Sequence, residues 1–346
     1  MNGSASPSTA DDITVAICTR DRPEQLRRAL ASLLRQTAAP AEIVVVDNAP
    51  ASDATRQLIA AEFPEVHYVC EAIPGLNFAR NRALANAAGE IVAFIDDDAV
   101  ADPNWIASTQ KTFRESPTVA ICTGRVDPLV LDTPGQRLFE ANGGFARGNR
   151  PLRLPQDASR RLHGLRAPLI AWSISVGTGC SLAVRKEIIR KLGDFDEGLD
   201  SPPELPGGGD IDLLWRVLAA GYGIVYEPSV RVRHEHRREW EAAVRQILEH
   251  NHGLVAMLTK AVRGAHGWRR AEILAFLVWR LIKPGVRLAR RMFGRDPLPA
   301  RVLLRLWAAC WRGLVAYPAA SRAARLRAIR IAGDGVVHPA VRSESA

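Results

Sequence analysis

The run Ile91-Val92-Ala93-Phe94-Ile95-Asp96-Asp97-Asp98 sets five apolar residues directly against three acids. A short, uninterrupted apolar run predicts a strand buried on both faces, as in a parallel sheet. Three carboxylates at its end repel one another. A cation normally offsets them, and a hard divalent ion with phosphate ligands does this well. A solvated acidic turn, or a cap for the helix after Pro103, suits the same residues.

Outward from this strand the chain alternates. Upstream, Ile13–Cys18 reads as strand and Pro23–Gln36 as helix, with Leu26, Leu30, Leu33 and Leu34 at helical spacing. Glu42–Asp47 carries the β-branched run Ile43-Val44-Val45-Val46; Asp53–Phe63 is helical, Val66–Cys70 extended, and Asn77–Ala88 a helix ended by Gly89. Downstream follow a helix over Pro103–Ser116 and a strand over Val119–Val126. Repeated β-α-β units predict an α/β fold, a mostly parallel sheet flanked by helices, with ligands at the carboxyl ends of the strands. Residues 127–170, rich in Pro, Gly and Arg, read as loops with short helices. Regularity resumes at Ser175–Val184, a helix over Lys186–Leu192, a helix over Ile211–Ala220, and strands at Tyr222–Glu227 and Val230–His234. From Arg238 nearly everything reads helical, with breaks at Gly264–Gly267, Pro284-Gly285 and Asp296–Pro299.

Several strand ends deliver polar groups to one edge. Cys18-Thr19-Arg20-Asp21-Arg22 ends the first strand and Asp47 the second, although Asp47 also suits the start of an Asn48-Ala49-Pro50 turn. Arg80 lies near a helix start and could pair with phosphate or with the acids. Pro206-Gly207-Gly208-Gly209-Asp210-Ile211-Asp212 places a glycine run before a helix, so that backbone can approach a ligand. Asp210 fits a general base and an N-cap about equally. His234-Glu235-His236 after a strand offers a metal ligand or a phosphate donor, or simply a structural histidine.

Composition narrows the classes further. Of 346 residues, 47% are hydrophobic and 24% charged, an ordinary globular balance that excludes a disordered or collagen-like chain. Cys18, Cys70, Cys122, Cys180 and Cys310 lie far apart, so neither a disulfide framework nor a cysteine zinc cage is expected, and a reducing compartment fits best. Met1 to Asp12 is polar without an apolar core, and no signal peptide is read there. The net charge of +9 is uneven: residues 1–230 hold 23 basic and 29 acidic residues, residues 231–346 hold 23 and 8. The basic part mixes arginine with Trp268, Trp279, Trp307, Trp311 and Tyr317, and its apolar run Ile273–Trp279 is far shorter than the ~20 residues of a spanning helix. That pattern suits helices lying on an anionic membrane surface, or helices packed on the main domain with a solvated basic face. No nucleic-acid-binding motif is visible, and no nucleic-acid partner is expected.

Together the motifs resemble the family 2 glycosyltransferases. The resemblance runs through Val15–Arg20, Ile43–Asp47, Pro74–Arg82, Gly89–Asp98 with Pro103-Asn104-Trp105, Gly179–Leu182 with Gly193–Asp196, Gly208–Arg216, and Glu227-Pro228 with His234, in order over about two-thirds of the chain. It implies a GT-A fold over 13–237, with a nucleotide-sugar-binding half at 13–126 and an acceptor half at 127–237, after a disordered leader at 1–12 and before a basic amphipathic helical extension at 238–346. By the same resemblance Thr19, Arg20, Asp47, Arg80, Asp96 and Asp97 hold the donor, and Asp98 with His234 hold Mg²⁺ or Mn²⁺. Asp210 is the base of an inverting transfer, with Asp212 as its alternate. The implied partners are a nucleotide-diphosphate sugar and a lipid-linked or glycan acceptor, at the inner face of the cell membrane. One departure stands out: the family usually has Glu-Asp where this chain has Gly209-Asp210. That leaves room for a weakly active relative serving as a membrane-associated subunit. Absence of a Q-x-x-R-W run, with Leu213-Leu214-Trp215-Arg216 nearby instead, points to single-sugar transfer. A haloacid-dehalogenase-like phosphatase is a remote alternative, since its Asp-x-Asp normally opens the domain.

Overall fold

A computed structural model describes residues 12–159 and 167–333; the leader expected at 1–12 lies outside this range except for Asp12. The first half follows the β-α rhythm: β1 (Ile13–Thr19), α1 (Pro23–Leu33), β2 (Glu42–Asn48), α2 (Ala54–Glu62), β3 (His67–Glu71), α3 (Leu76–Asn86), β4 (Ile91–Ile95), β5 (Ala99–Ala101), α4 (Trp105–Glu115) and β6 (Val119–Pro128). Then come α5 (Pro134–Ala141), β7 (Leu152–Leu154), a 3-10 turn at Gln156–Ser159, α6 (Leu169–Ser173), β8 (Ser181–Arg185), α7 (Lys186–Lys191), α8 (Gly209–Ala219) and β9 (Gly223–His234). Three long helices close the chain: α9 (Trp240–Gly264), α10 (Gly267–Met292) and α11 (Ala300–Gly333).

One sheet runs β3-β2-β1-β4-β8-β6-β9-β5, with β7 also on β9. β1, β2, β3, β4, β6 and β9 point the same way; β8 runs antiparallel between β4 and β6, and β5 and β7 run antiparallel to β9. Alternation along the strands explains the two cores. Ile13, Val15, Ile17, Ile43 and Val45 face α1, α2 and α4, while Ala16, Val44, Val46, Val92 and Phe94 face α3, α7 and α8.

Two expectations change. The strands read at Tyr222–Glu227 and Val230–His234 are one strand, β9, whose register against β6 shifts between the Gly124–Glu227 and Arg125–Arg231 pairs. The shift drives Val230 toward β6, where a Cβ on Gly124 would lie 2.0 Å from the Val230 carbonyl. The break expected at Pro284-Gly285 is absent, and Pro284 sits inside α10. A proline removes one helical hydrogen bond, and packing between neighbours outweighs that loss. Gly285 lets Trp307 of α11 come within 3.3 Å of where a Cβ would stand.

The last three helices share a core with the α/β body. Leu254, Val255 and Leu258 of α9, Ile273, Leu277 and Leu281 of α10 and Cys310 of α11 cluster with Trp215 of α8 and with Leu199 and Leu205. Polar ties join the same elements. Lys260 of α9 reaches Asp196 at 2.5 Å and Asp212 at 2.7 Å, and Tyr317 Oη of α11 donates to Asp196 at 2.7 Å.

Candidate active site

β1 is flanked by β2 on one side and β4 on the other, so the chain reverses its direction of travel across the sheet there and the carboxyl ends open a crevice. A cavity of about 650 Å³ lies in it, with Thr19, Arg20 and Asn48 from the β1 and β2 ends and Asp96, Asp97 and Asp98 from the β4 end on its wall. Asp210, His234 and residues of α9 and α10 line the same space.

The three acids have separate partners. Asp97 accepts from Thr19 Oγ1 at 2.8 Å and from Arg22 at 3.2 Å; burial and the neighbouring Asp98 push its carboxyl up to about 6. Asp98 faces His234 Nε2 at 3.1 Å, Arg22 at 3.5 Å and Arg237 at 3.8 Å. Burial opposes its charge, but His234, Arg237 and Arg22 outweigh burial and hold the carboxyl well below the usual range. Asp96 is raised by burial and by Asp98.

The pairing of β5 with β9 accounts for the His234 contact. Ala99 sits opposite His234, and the Glu235 amide donates to the Asp98 carbonyl at 2.9 Å. The imidazole is fixed from behind: His234 Nδ1 lies 3.0 Å from His236 Nδ1, and His236 Nε2 lies 2.8 Å from Glu140 Oε1. Phe145 stands edge-on to the ring at 5.2 Å. Nε2 is thereby aimed at the acids. Ligand atoms of Asp96, Cys180 and His234 lie within 4.8 Å of one another; the carboxylate and imidazole suit a divalent cation, whereas burial pushes the Cys180 thiol well up toward its neutral form, which does not suit a hard ion. Cys180 was not singled out as a ligand in the sequence; it begins no motif of its own, and only the antiparallel pairing of β8 with β4 carries the residue before β8 to Asp96.

Asp210 is not the cap of α8. Gly208 holds that place, with φ +97°, and its hydrogen stands where a Cβ would meet the Gly253 carbonyl at 2.7 Å. Asp210 Oδ2 accepts from the Gly179 amide and Oδ1 from the Ile211 amide, both at 2.8 Å, which pins the carboxylate at the cavity wall. Asp212 points elsewhere. It is buried between Arg216 and Lys260, each 2.7 Å away, and is not on the cavity wall. The structure thus holds Asp212 in ion pairs away from the cavity that Asp210 lines, because two helix positions turn a side chain by more than half a circle.

Gly209 has a physical reason. A Cβ there would lie 2.2 Å from Asn77 Nδ2 and 2.4 Å from Asp200 Oδ2. Asp200, from the preceding loop, occupies the room of a longer side chain; it accepts from the Gly209 amide and from Arg80, both at 3.1 Å. Burial raises its carboxyl to about 6, with the Arg80 guanidinium opposing the rise. Arg80 is therefore engaged with Asp200 and Asn77 while still lining the cavity. Arg20 is exposed at the rim near Asp21. Asp47 is fully buried, accepts from Tyr68 Oη at 3.2 Å and leaves the wall to Asn48.

A family model described as "Glycosyl transferase family 2" matches residues 14–193, just over half of the chain. The chain belongs to glycosyl transferase family 2. Asp200, Asp210 and His234 lie beyond the matched residues. Among relatives, a pre-mycofactocin glycosyltransferase of Mycobacterium tuberculosis (strain CDC 1551 / Oshkosh) is 31% identical over 67% of this chain and 45% of its own length. The chain thus spans less than half of that relative. The succinoglycan biosynthesis protein ExoM of Rhizobium meliloti (strain 1021) is 29% identical over 78% of this chain and 81% of its own. Among solved structures, the mannosyltransferase PcManGT of Pyrobaculum calidifontis, in complex with GDP-Man and Mn2+, superposes with a TM-score of 0.54 at 22% identity, over 91% of this chain and 86% of that one. That likeness shows the shared GT-A fold.

Proposed function

We propose that the chain transfers one sugar from a nucleotide-diphosphate donor to a hydroxyl acceptor with inversion, in the synthesis of a cell-surface glycan or glycolipid. The observation that carries this reading is that the Asp98–His234 pair and the pinned carboxylate of Asp210 line one cavity. The donor's base and ribose would lie over the ends of β1 and β2, against Thr19, Arg20 and Asn48, with Asp47 behind them. Asp96, Asp98 and His234 would hold Mg²⁺ or Mn²⁺, which when bound supplies positive charge against the diphosphate. Arg22 and Arg237 add positive charge beside Asp98. Asp210 takes the proton of the attacking hydroxyl, its carboxylate being oriented by the Gly179 and Ile211 amides. Asp200 restores a carboxylate beside Asp210, which favours an active enzyme over a weakened relative.

The outer faces of α10 and α11 support a membrane-surface location. Leu274, Val278, Ile282 and Val286 repeat every four residues on α10 and are exposed, as are Trp279 and, on α11, Trp311 and Val315. Among the described residues no helix is long and apolar enough to cross a membrane. The location proposed is peripheral, on the anionic cytoplasmic face of the cell membrane.

Transfer assays across a panel of nucleotide sugars test the reaction. Asp210→Asn is expected to cut kcat by about 10²–10⁴-fold while donor binding persists. Asp98→Asn is expected to abolish stabilisation by donor with Mn²⁺ in a thermal shift. Wild-type turnover by either variant overturns the assignment.

A further inference from the structure

The cavity has a second lining, cationic and unrelated to the acids of β4. Arg280, Lys283 and Arg287 of α10 project into it beside Asn251 of α9. Among the described residues only Arg287 of these three has a carboxylate: it forks onto Asp296 at 2.7 and 2.9 Å and also donates to Asn142 Oδ1 at 2.8 Å. Arg280 donates to Asn251 Oδ1 at 2.5 Å, and its Nε is buried without a partner. Lys283 makes no ion pair among the described residues; burial, with Arg280 and Arg287 nearby, pulls its amine down to about 8.

Like charges gathered in a cleft with no counter-charge cost free energy, and a bound anion removes that cost. Asp296, the nearby acid, is consumed by Arg287. In the reading proposed above, the donor diphosphate is held beside Asp98, His234 and Arg22. An anion on α10 therefore belongs to a different molecule. The neighbours of Lys283 on the helix's outer side, Ile282 and Val286, are members of the exposed apolar stripe. A ligand with its charge on Lys283 could run its apolar part along that stripe.

We propose that Arg280 and Lys283 form an anion subsite that binds the phosphate of a phosphorylated acceptor, with Arg287 and Asn251 as positioning residues. This rests on the transferase reading for the word acceptor; the anion site itself does not. The phosphate could come from a lipid-linked acceptor or from a soluble phosphorylated sugar.

The test is calorimetric titration of the full chain with geranyl phosphate, geraniol and a hexose 1-phosphate. Geranyl phosphate is expected to bind at least about tenfold tighter than geraniol, the gain from a charge-assisted contact. Lys283→Gln should erase that preference, Lys283→Arg should restore it, and Arg280→Gln should weaken it, all with unchanged donor-induced thermal shift. Tight binding of geranyl phosphate alone assigns a lipid source; equal binding of hexose 1-phosphate assigns a soluble one. Equal binding of geraniol and geranyl phosphate, or a preference that survives Lys283→Gln, overturns the subsite. A preference that depends on Lys283 in a chain that turns over no nucleotide sugar would leave the subsite standing and overturn the transferase reading.

Discussion

Asp210 and Asp212 lie two positions apart on α8 and meet different surroundings. Asp210 is held by two backbone amides at the cavity wall, whereas Asp212 is clamped by Arg216 and Lys260 against α9. Replacing Asp212 by Asn leaves Arg216 without its buried counter-charge and Lys260 with Asp196 alone. The expected outcome is a loss of about 1–3 kcal/mol of stability in urea unfolding, with turnover per folded molecule near wild type. Unchanged stability together with lost turnover would reverse the roles of the two acids. Gly209 is decided at the same scale, since Asp200 and Asn77 fill the volume of any side chain there. Gly209→Ala is expected to lower both Tm and turnover, because the clash falls on the groups that hold Arg80.

Short segments between elements set up the site. β5 pairs with the end of β9 and so brings His234 to Asp98. The loop from Gly193 to Gly208 carries Asp196, Glu197 and Asp200 between α7 and α8. Glu197 is part-buried and accepts from Asn81 Nδ2 at 3.1 Å. Burial, and the charges of Asp196, Glu71 and Asp194, raise its carboxyl to about 7. The folded protein holds this proton more tightly than the unfolded chain does. The associated stability is present below the ordinary glutamate range and is lost as pH rises toward 7. Glu197→Gln keeps the Asn81 contact without the charge, so its Tm should match wild type at pH 4 and exceed it by a few degrees at pH 8. Equal melting curves at pH 8 would show that the loop tolerates the ionised acid.

Over the whole molecule, charge is sorted by element. Asp96, Asp97, Asp98, Asp200 and Asp210 of the α/β body line one cavity, while the arginine-rich end of the chain forms helices that present an apolar stripe outward. Vesicles containing anionic lipid are expected to bind the protein in co-sedimentation, with binding weakened by salt. The pair Ile282→Asp and Val286→Asp should abolish sedimentation without lowering Tm, because both side chains are exposed. Sedimentation unchanged in that variant would remove α10 from the membrane surface.

Local pattern was enough for much of this. The apolar runs at Ile43–Val46 and Ile91–Ile95 and the helical spacing of Leu26, Leu30 and Leu33 made the α/β class and its strand-end site legible, because period and burial are written in neighbouring residues. The acids after β4 were visible for the same reason. What the pattern could not supply depends on contacts between distant segments. Asp200 stands in the space over Gly209 across a loop, Cys180 meets Asp96 through antiparallel pairing, and Asp212 turns away to Lys260, which lies 48 positions along the chain. Arg280 and Lys283 read as one more basic stretch of an amphipathic helix. Only the packing of α9 and α10 on the body puts them on the wall of the cavity that the β4 acids share.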